Sequence, residues 1–111
     1  MIVCIPVSDG QVAQGWGRTR RLALSRVVEG AIVDWQELDV GWDAAHDIGP
    51  EGSHHARVAR FLREQRVEVV AVEHMGEPMQ RMISKLGIRV VSEAQGDARA
   101  AVLAAAEVAA P

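Results

Sequence analysis

The sequence of 111 residues contains a single cysteine, Cys4, and a single lysine, Lys85. One cysteine excludes a disulfide within the chain and any cysteine-rich zinc or iron–sulfur site built from one copy. Cys4 lies inside an apolar segment, which predicts a small core residue rather than a reactive thiol. No apolar run is long enough to cross a bilayer, and no signal peptide is recognisable. The sequence therefore predicts a cytoplasmic protein.

Charge and composition narrow the class further. Hydrophobic residues make up 49% and charged residues 24%, which is typical of a globular protein, and the length predicts one domain over residues 1–111. The net charge of −3 gives no general attraction to nucleic acid or to an anionic membrane, so neither is expected as a partner. Nearly all cations are arginines and alanine is abundant, a bias typical of high-GC, actinobacterial-type sequences.

Apolar periodicity and turn residues predict alternating strands and helices. Strands are expected at 2–7, 21–28, 31–38, 68–73 and 88–91, and helices at 54–65, between Gly76 and Gly87, and from Asp97 to about Val108. The inward face of the last helix is expected to consist of Ala98, Ala101, Val102 and Ala105. A hairpin followed by helix, strand, helix, strand and helix fits a mixed sheet with helices on both faces. The sequence thus predicts an α/β, ribonuclease H-like three-layer fold with five strands in the order 3-2-1-4-5.

The strand near residue 70 is expected to be central. The run from Val69 to Val72 is apolar without alternation, which is typical of a strand covered on both faces. We expect it to lie beside the first strand, with a core that includes Val3, Ile5, Val69, Val70 and Val72.

Polar residues follow the central strand at its carboxyl end. His74, Met75 and Gly76 lie where open α/β sheets commonly bind ligands. This makes them candidate site residues. The alternative is that they are only a polar exit from a buried strand.

Two further histidines begin the first long helix. Ser53 is expected to cap it, with a buried face that starts at His55. Adjacent helical residues diverge by about 100°, so His54 and His55 cannot point the same way. We expect one of them to share a pocket with His74 and the other to face solvent or a backbone partner. The long segment 39–53 is expected to return the chain to the carboxyl edge of the sheet.

The first loop contains Gly15-Trp16-Gly17-Arg18, which matches neither common nucleotide-binding loop. We expect Trp16 to cover the mouth of the pocket as a lid and to be more exposed than Trp35. Arg18 with Arg20 and Arg21 forms a candidate anion site, although a solvated loop explains the same arginines.

These motifs together resemble the dinitrogenase iron–molybdenum cofactor biosynthesis family. The matching features, over about residues 2–105, are Pro6-Val7 with Asp9-Gly10, then Gly17-Arg18, Ser53-His54-His55-Ala56, His74-Met75-Gly76 and Leu86-Gly87-Ile88. The family commonly has His-Phe-Gly-Arg in the first loop, whereas this chain has Gly15-Trp16-Gly17-Arg18, so the loop histidine is missing.

The resemblance implies a non-enzymatic protein that binds or carries a metal ion or a metallocluster, of the iron–molybdenum or a related iron–sulfur type. It implies metal contacts from His54, His55 and His74, and cluster contacts from Trp16, Gly17, Arg18, Met75 and Gly76. A protein partner for cluster transfer is then expected. The alternative function is an interaction or regulatory module that has kept the fold and lost the metal site. A nuclease is disfavoured, because too few carboxylates are available for a two-metal centre.

Overall fold

The computed structural model describes residues 1–45 and 53–110. Six strands form its sheet: β1 (Ile2–Ser8), β2 (Gln11–Val12), β3 (Arg21–Val28), β4 (Ala31–Asp39), β5 (Val69–Ala71) and β6 (Arg89–Val91). Four helices accompany them: α1 (Trp42–Ala45), α2 (Ser53–Glu64), α3 (Glu77–Lys85) and α4 (Ala98–Ala109). None of the helices in these two described ranges is long and apolar enough to traverse a bilayer.

The main sheet has the order β4-β3-β1-β5-β6, and β2 pairs with β1 beside this path. β1 runs antiparallel to β3 and parallel to β5, and β5 runs parallel to β6. The predicted fold class and strand order are therefore confirmed. The difference is β2, a two-residue strand in a segment that the sequence predicts to be a loop. Asp9 and Gly10, both with positive φ, form the tight turn that joins β1 to β2.

The central position of β5 is also confirmed. Val3 pairs with Val69 and Cys4 with Val70, and the predicted core valines and Ile5 are all buried. An unbroken apolar strand is stable here because helices cover both of its sides. β5 is shorter than the predicted strand at 68–73, and the chain then continues to the site residues at 74–76.

Two hydrophobic layers lie on opposite sides of the sheet. We call the side covered by α2 and α3 the α2/α3 face, and the side covered by α4 the α4 face. Alternating residues of β1 divide between them, so that Cys4 packs on the α2/α3 face while Val3 and Ile5 pack on the α4 face.

α3 and α4 begin and end as the sequence predicts. Pro78 lies in the first turn of α3, and Gly87 follows its end with φ of 82°, a left-handed conformation that favours glycine. Asp97 caps α4, accepting a hydrogen bond from the Ala100 N–H at 2.9 Å. The predicted inward residues of α4 are all buried.

The predicted buried face of α2, which was His55, Val58, Ala59 and Leu62, is confirmed at Val58 and Leu62 and wrong at its start. The buried residues of this helix are His54, Val58 and Leu62, while His55 is only half-buried. Residues 42–45 of the segment predicted as a loop form the short helix α1, whose Trp42 is buried in the α2/α3 face. Trp42 contacts His54 edge-on, which accounts for the burial of His54 in place of His55.

Candidate functional site

A cavity of about 370 Å³ opens at the carboxyl edge of the central strands, within the size range of small-ligand sites. We call it the histidine pocket. Three segments form it: the first loop, the first turn of α2, and the chain from the end of β5 into α3. Its lining residues are Gly15, Trp16, Gly17, Arg18, His55, His74, Met75, Gly76, Pro78 and Met79.

The structure brings two of the three candidate metal ligands to this pocket. His55 reaches it from the first turn of α2 and is half-buried. His74 reaches it from the segment after β5 and is exposed. Imidazole nitrogens are common ligands for transition metals, so this pair gives the pocket its main coordinating capacity.

His54 does not line the histidine pocket. Its side chain is only 8% exposed and meets the Trp42 ring edge-on, with ring centroids 5.9 Å apart. Its Nδ1 lies 3.1 Å from a guanidinium nitrogen of Arg57. His54 therefore does not face solvent, one of the two expected alternatives, and it belongs to the aromatic core behind the pocket.

Trp16 is not a lid. It is 2% exposed whereas Trp35 is half-buried, so the predicted order of exposure is wrong. Gly15 has φ of 76°, a conformation that a side chain would strain, and it allows the loop to direct Trp16 inward. The Trp16 ring packs edge-on against Trp42 at 5.4 Å between centroids. Trp16 thus forms a wall of the pocket.

The rest of the pocket is largely apolar. Met75 and Met79 are buried and contribute polarisable thioethers, and Gly76 exposes backbone at the start of α3. Arg18 is exposed at the rim and brings the only cationic guanidinium in this lining. The pocket therefore combines soft, apolar walls with two imidazoles and one positive charge.

Within residues 1–45 and 53–110, no three side chains among His, Cys, Asp and Glu converge as a group that could hold a metal ion. His46, noted in the sequence as part of the long loop, lies outside the described residues. Cys4 adds no ligand, because it is fully buried in the α2/α3 face and burial raises the pKa of its thiol far above the ordinary value. Among the described residues, the donors at the pocket are thus the two histidines and the neighbouring thioethers.

Sequence reasoning missed Gly15, Pro78 and Met79 as lining residues. Met79 was interpreted as core because it belongs to an apolar stripe of α3, and it is indeed buried, but one side of it also faces the pocket. Its position in the first turn after Gly76 is the signal that could have identified it.

Comparison with known proteins identifies the class. The sequence model of the family described as "Dinitrogenase iron-molybdenum cofactor" (Nitro_FeMo-Co) matches residues 1–108. The chain belongs to this family. No curated protein sequence gives a significant match.

Solved structures agree on the fold. The chain is similar to the crystal structure of PH0822, with a TM-score of 0.75 and 20% identity over 94% of this chain and 88% of that one. It is also similar to mj0327 from Methanocaldococcus jannaschii, a proposed dinitrogenase, with a TM-score of 0.59 and 11% identity over 86% of this chain and 78% of that one. At these identities, the likeness shows the shared fold alone.

Proposed function

We propose that this protein is a non-enzymatic binding or carrier protein for a metallocluster, of the kind related to precursors of the iron–molybdenum cofactor. The observation that carries the proposal is the convergence of His55 and His74 on one pocket at the carboxyl edge of the sheet. Family membership supports the same class of cargo.

The donor set favours a cluster over a bare metal ion. A structural zinc site needs four protein ligands, and the described residues do not bring even three of the usual ones together. A cluster carries its own bridging atoms and completes most of its metal coordination itself, so two imidazoles are enough to attach it. The thioethers of Met75 and Met79 offer soft contacts to such a cargo.

The other lining residues have supporting roles in this proposal. Arg18 would balance the negative charge of an anionic cluster from the rim. Gly17 and Gly76 would let the backbone approach the cargo closely, because neither has a side chain to block it. Trp16 would exclude water from one wall. No described residue encloses the pocket as a lid, and this openness suits transfer of the cargo to a partner protein.

The test begins with elemental analysis of protein purified anaerobically from its native host, with iron and molybdenum as the metals measured. Cluster loading is then compared between the wild type and the His55→Ala and His74→Ala variants. We expect each variant to lower the retained metal at least about tenfold, because each removes a coordinating group. Gln80→Ala is the control, because Gln80 is an exposed residue of α3 that does not line the pocket.

The competing function is an interaction or regulatory module that has kept the fold without the metal site. The missing histidine of the first loop, where Gly15 stands, favours this alternative. Native protein that contains no bound metal, or loading that is unchanged in both histidine variants, would establish the interaction module as the better account.

A further inference from the structure

A second cavity lies beside the histidine pocket. It has a volume of about 470 Å³ and lies at the carboxyl end of β1, between the β1–β2 turn and the loop that enters β3. We call it the arginine pocket. Its charged lining residues are Asp9, Arg18, Arg20 and Arg21.

The arginine pocket is rich in hydrogen-bond donors. Arg18, Arg20 and Arg21 each carry a guanidinium fork, and Ser8 and Gln14 add a hydroxyl and an amide. Among the described lining residues, Asp9 is the one carboxylate. A cavity with many donors and few acceptors fits a ligand whose surface consists of acceptors.

The contacts of Arg20 and Arg21 with the outer strand are weak enough for a ligand to displace. Arg20 donates through Nε to Asp39 at 3.3 Å, and the guanidinium of Arg21 lies 3.8 Å from Glu37, beyond hydrogen-bond distance. Both arginine side chains are more than half exposed. Exposed pairs of this kind contribute little to stability, so an incoming anion can displace them at small cost.

We propose that the arginine pocket binds a tetrahedral oxyanion of the phosphate class, held by Arg18, Arg20 and Arg21. The planar guanidinium matches two oxygens of such an anion at once, which a lysine would not do. Positive charge gathered in one cavity is notable in a chain of net charge −3. Arg18 lines both cavities, so a bound oxyanion lies next to the histidine pocket without occupying it.

The experiment uses inorganic phosphate as the probe, with binding to the full chain measured by calorimetry and by 31P NMR at low ionic strength. We expect saturable binding that weakens at least about fivefold in Arg21→Gln and in Arg18→Gln, because each variant removes a guanidinium fork that would pair with two oxygens of the anion. Arg89→Gln is the matched control, because Arg89 is an exposed arginine at the start of β6 and lines neither cavity. It should change the affinity by less than about twofold.

Phosphate binding at the arginine pocket should not depend on metal loading at the histidine pocket. His74→Ala should bind phosphate as the wild type does, because His74 does not line the arginine pocket. Absence of saturable binding, or equal weakening by Arg89→Gln and Arg21→Gln, would overturn the proposal and indicate only general charge attraction. Circular dichroism shows whether each variant is folded, and if one is not, the other pocket arginine decides the outcome.

Discussion

The two faces of the sheet differ in the size and regularity of the side chains that pack on them. The α4 face is a regular layer in which small residues of one helix pack on β1 and β5, with Ala101, Ala105 and Val102 at the contact. The α2/α3 face contains large and irregular side chains, and two of them, Trp16 and Trp42, come from outside the long helices. The histidine pocket lies beside this second face.

The difference shows which side of the fold carries the coordinating side chains. Small residues allow α4 to approach β1 and β5 closely, and the described lining of the two cavities beside α4 includes no histidine. Aromatic rings and methionines fill space less regularly, and their edges define the wall of a cavity. The rings of Trp42 meet those of Trp16, His54 and Phe61 within 5.9 Å, all edge-on, so a rigid cluster supports the pocket from behind.

The largest effect should follow from removing the centre of that cluster. Trp42→Ala deletes a buried ring that contacts three others, and we expect the free energy of unfolding to fall by about 3–5 kcal/mol. Urea denaturation followed by circular dichroism measures it. Trp35→Ala is the matched control and should cost clearly less, because Trp35 is half-buried near the edge of the sheet. Equal losses would mean that the Trp42 cluster does not support the α2/α3 face.

On the α4 face, enlarging a buried residue rather than truncating one should destabilise the protein, by overpacking. Ala105→Leu inserts a larger side chain where Ala105 is almost fully buried, and we expect a loss of about 1–3 kcal/mol in the free energy of unfolding. Ala104→Leu lies one position away on the exposed side of α4 and should be close to neutral. If Ala105→Leu left the stability unchanged, the close packing assigned to this face would be incorrect.

Sequence patterns predicted the α4 face well and the α2/α3 face poorly, for physical reasons. The strand order, the valine core and the inward residues of α4 follow from local periodicity, which one face of a regular element preserves. The cap at Asp97 follows from the chemistry of a helix start. Such features depend on near neighbours in the chain, so one sequence contains the information needed to find them.

The positions of Trp16 and His54 depend on contacts between distant segments. The glycines on either side of Trp16 suggested a side chain that extends away from the loop toward solvent. The Trp16 ring instead packs inward against Trp42 of α1, a contact between segments distant in the sequence. Similarly, the spacing of apolar residues in α2 allowed either His54 or His55 to face inward, and contact with Trp42 decided it. The sequence predicted that one of His54 and His55 would share a pocket with His74, but it did not determine which of the two.

The adjacent histidines offer a direct comparison of core and pocket. His54→Ala removes an edge contact with Trp42 and should lower the free energy of unfolding by about 1–2 kcal/mol. His55→Ala should change it by less than about 0.5 kcal/mol, because His55 is half-buried at the pocket. Thermal and urea unfolding of the metal-free protein measure both. A larger loss in His55→Ala than in His54→Ala would reverse the roles assigned to the two side chains.

The smallest effect concerns Cys4 and tests whether the interior of the α2/α3 face is closed to solvent. Burial raises the pKa of the Cys4 thiol in the folded protein, so the thiol stays protonated where the unfolded chain begins to lose its proton. Above the unfolded-state pKa the folded state then binds more protons than the unfolded state, and stability falls as the pH rises. Between pH 8 and pH 9 this contribution lowers the free energy of unfolding by about 0.7 kcal/mol for an unfolded-state pKa near 8.5.

Comparison with Cys4→Ala isolates the contribution of the thiol, because that variant lacks the titrating group. The difference in free energy of unfolding between the wild type and Cys4→Ala should shrink by this amount from pH 8 to pH 9. A difference that did not change with pH, or rapid reaction of native Cys4 with a thiol reagent, would show that solvent reaches the interior beside the pocket.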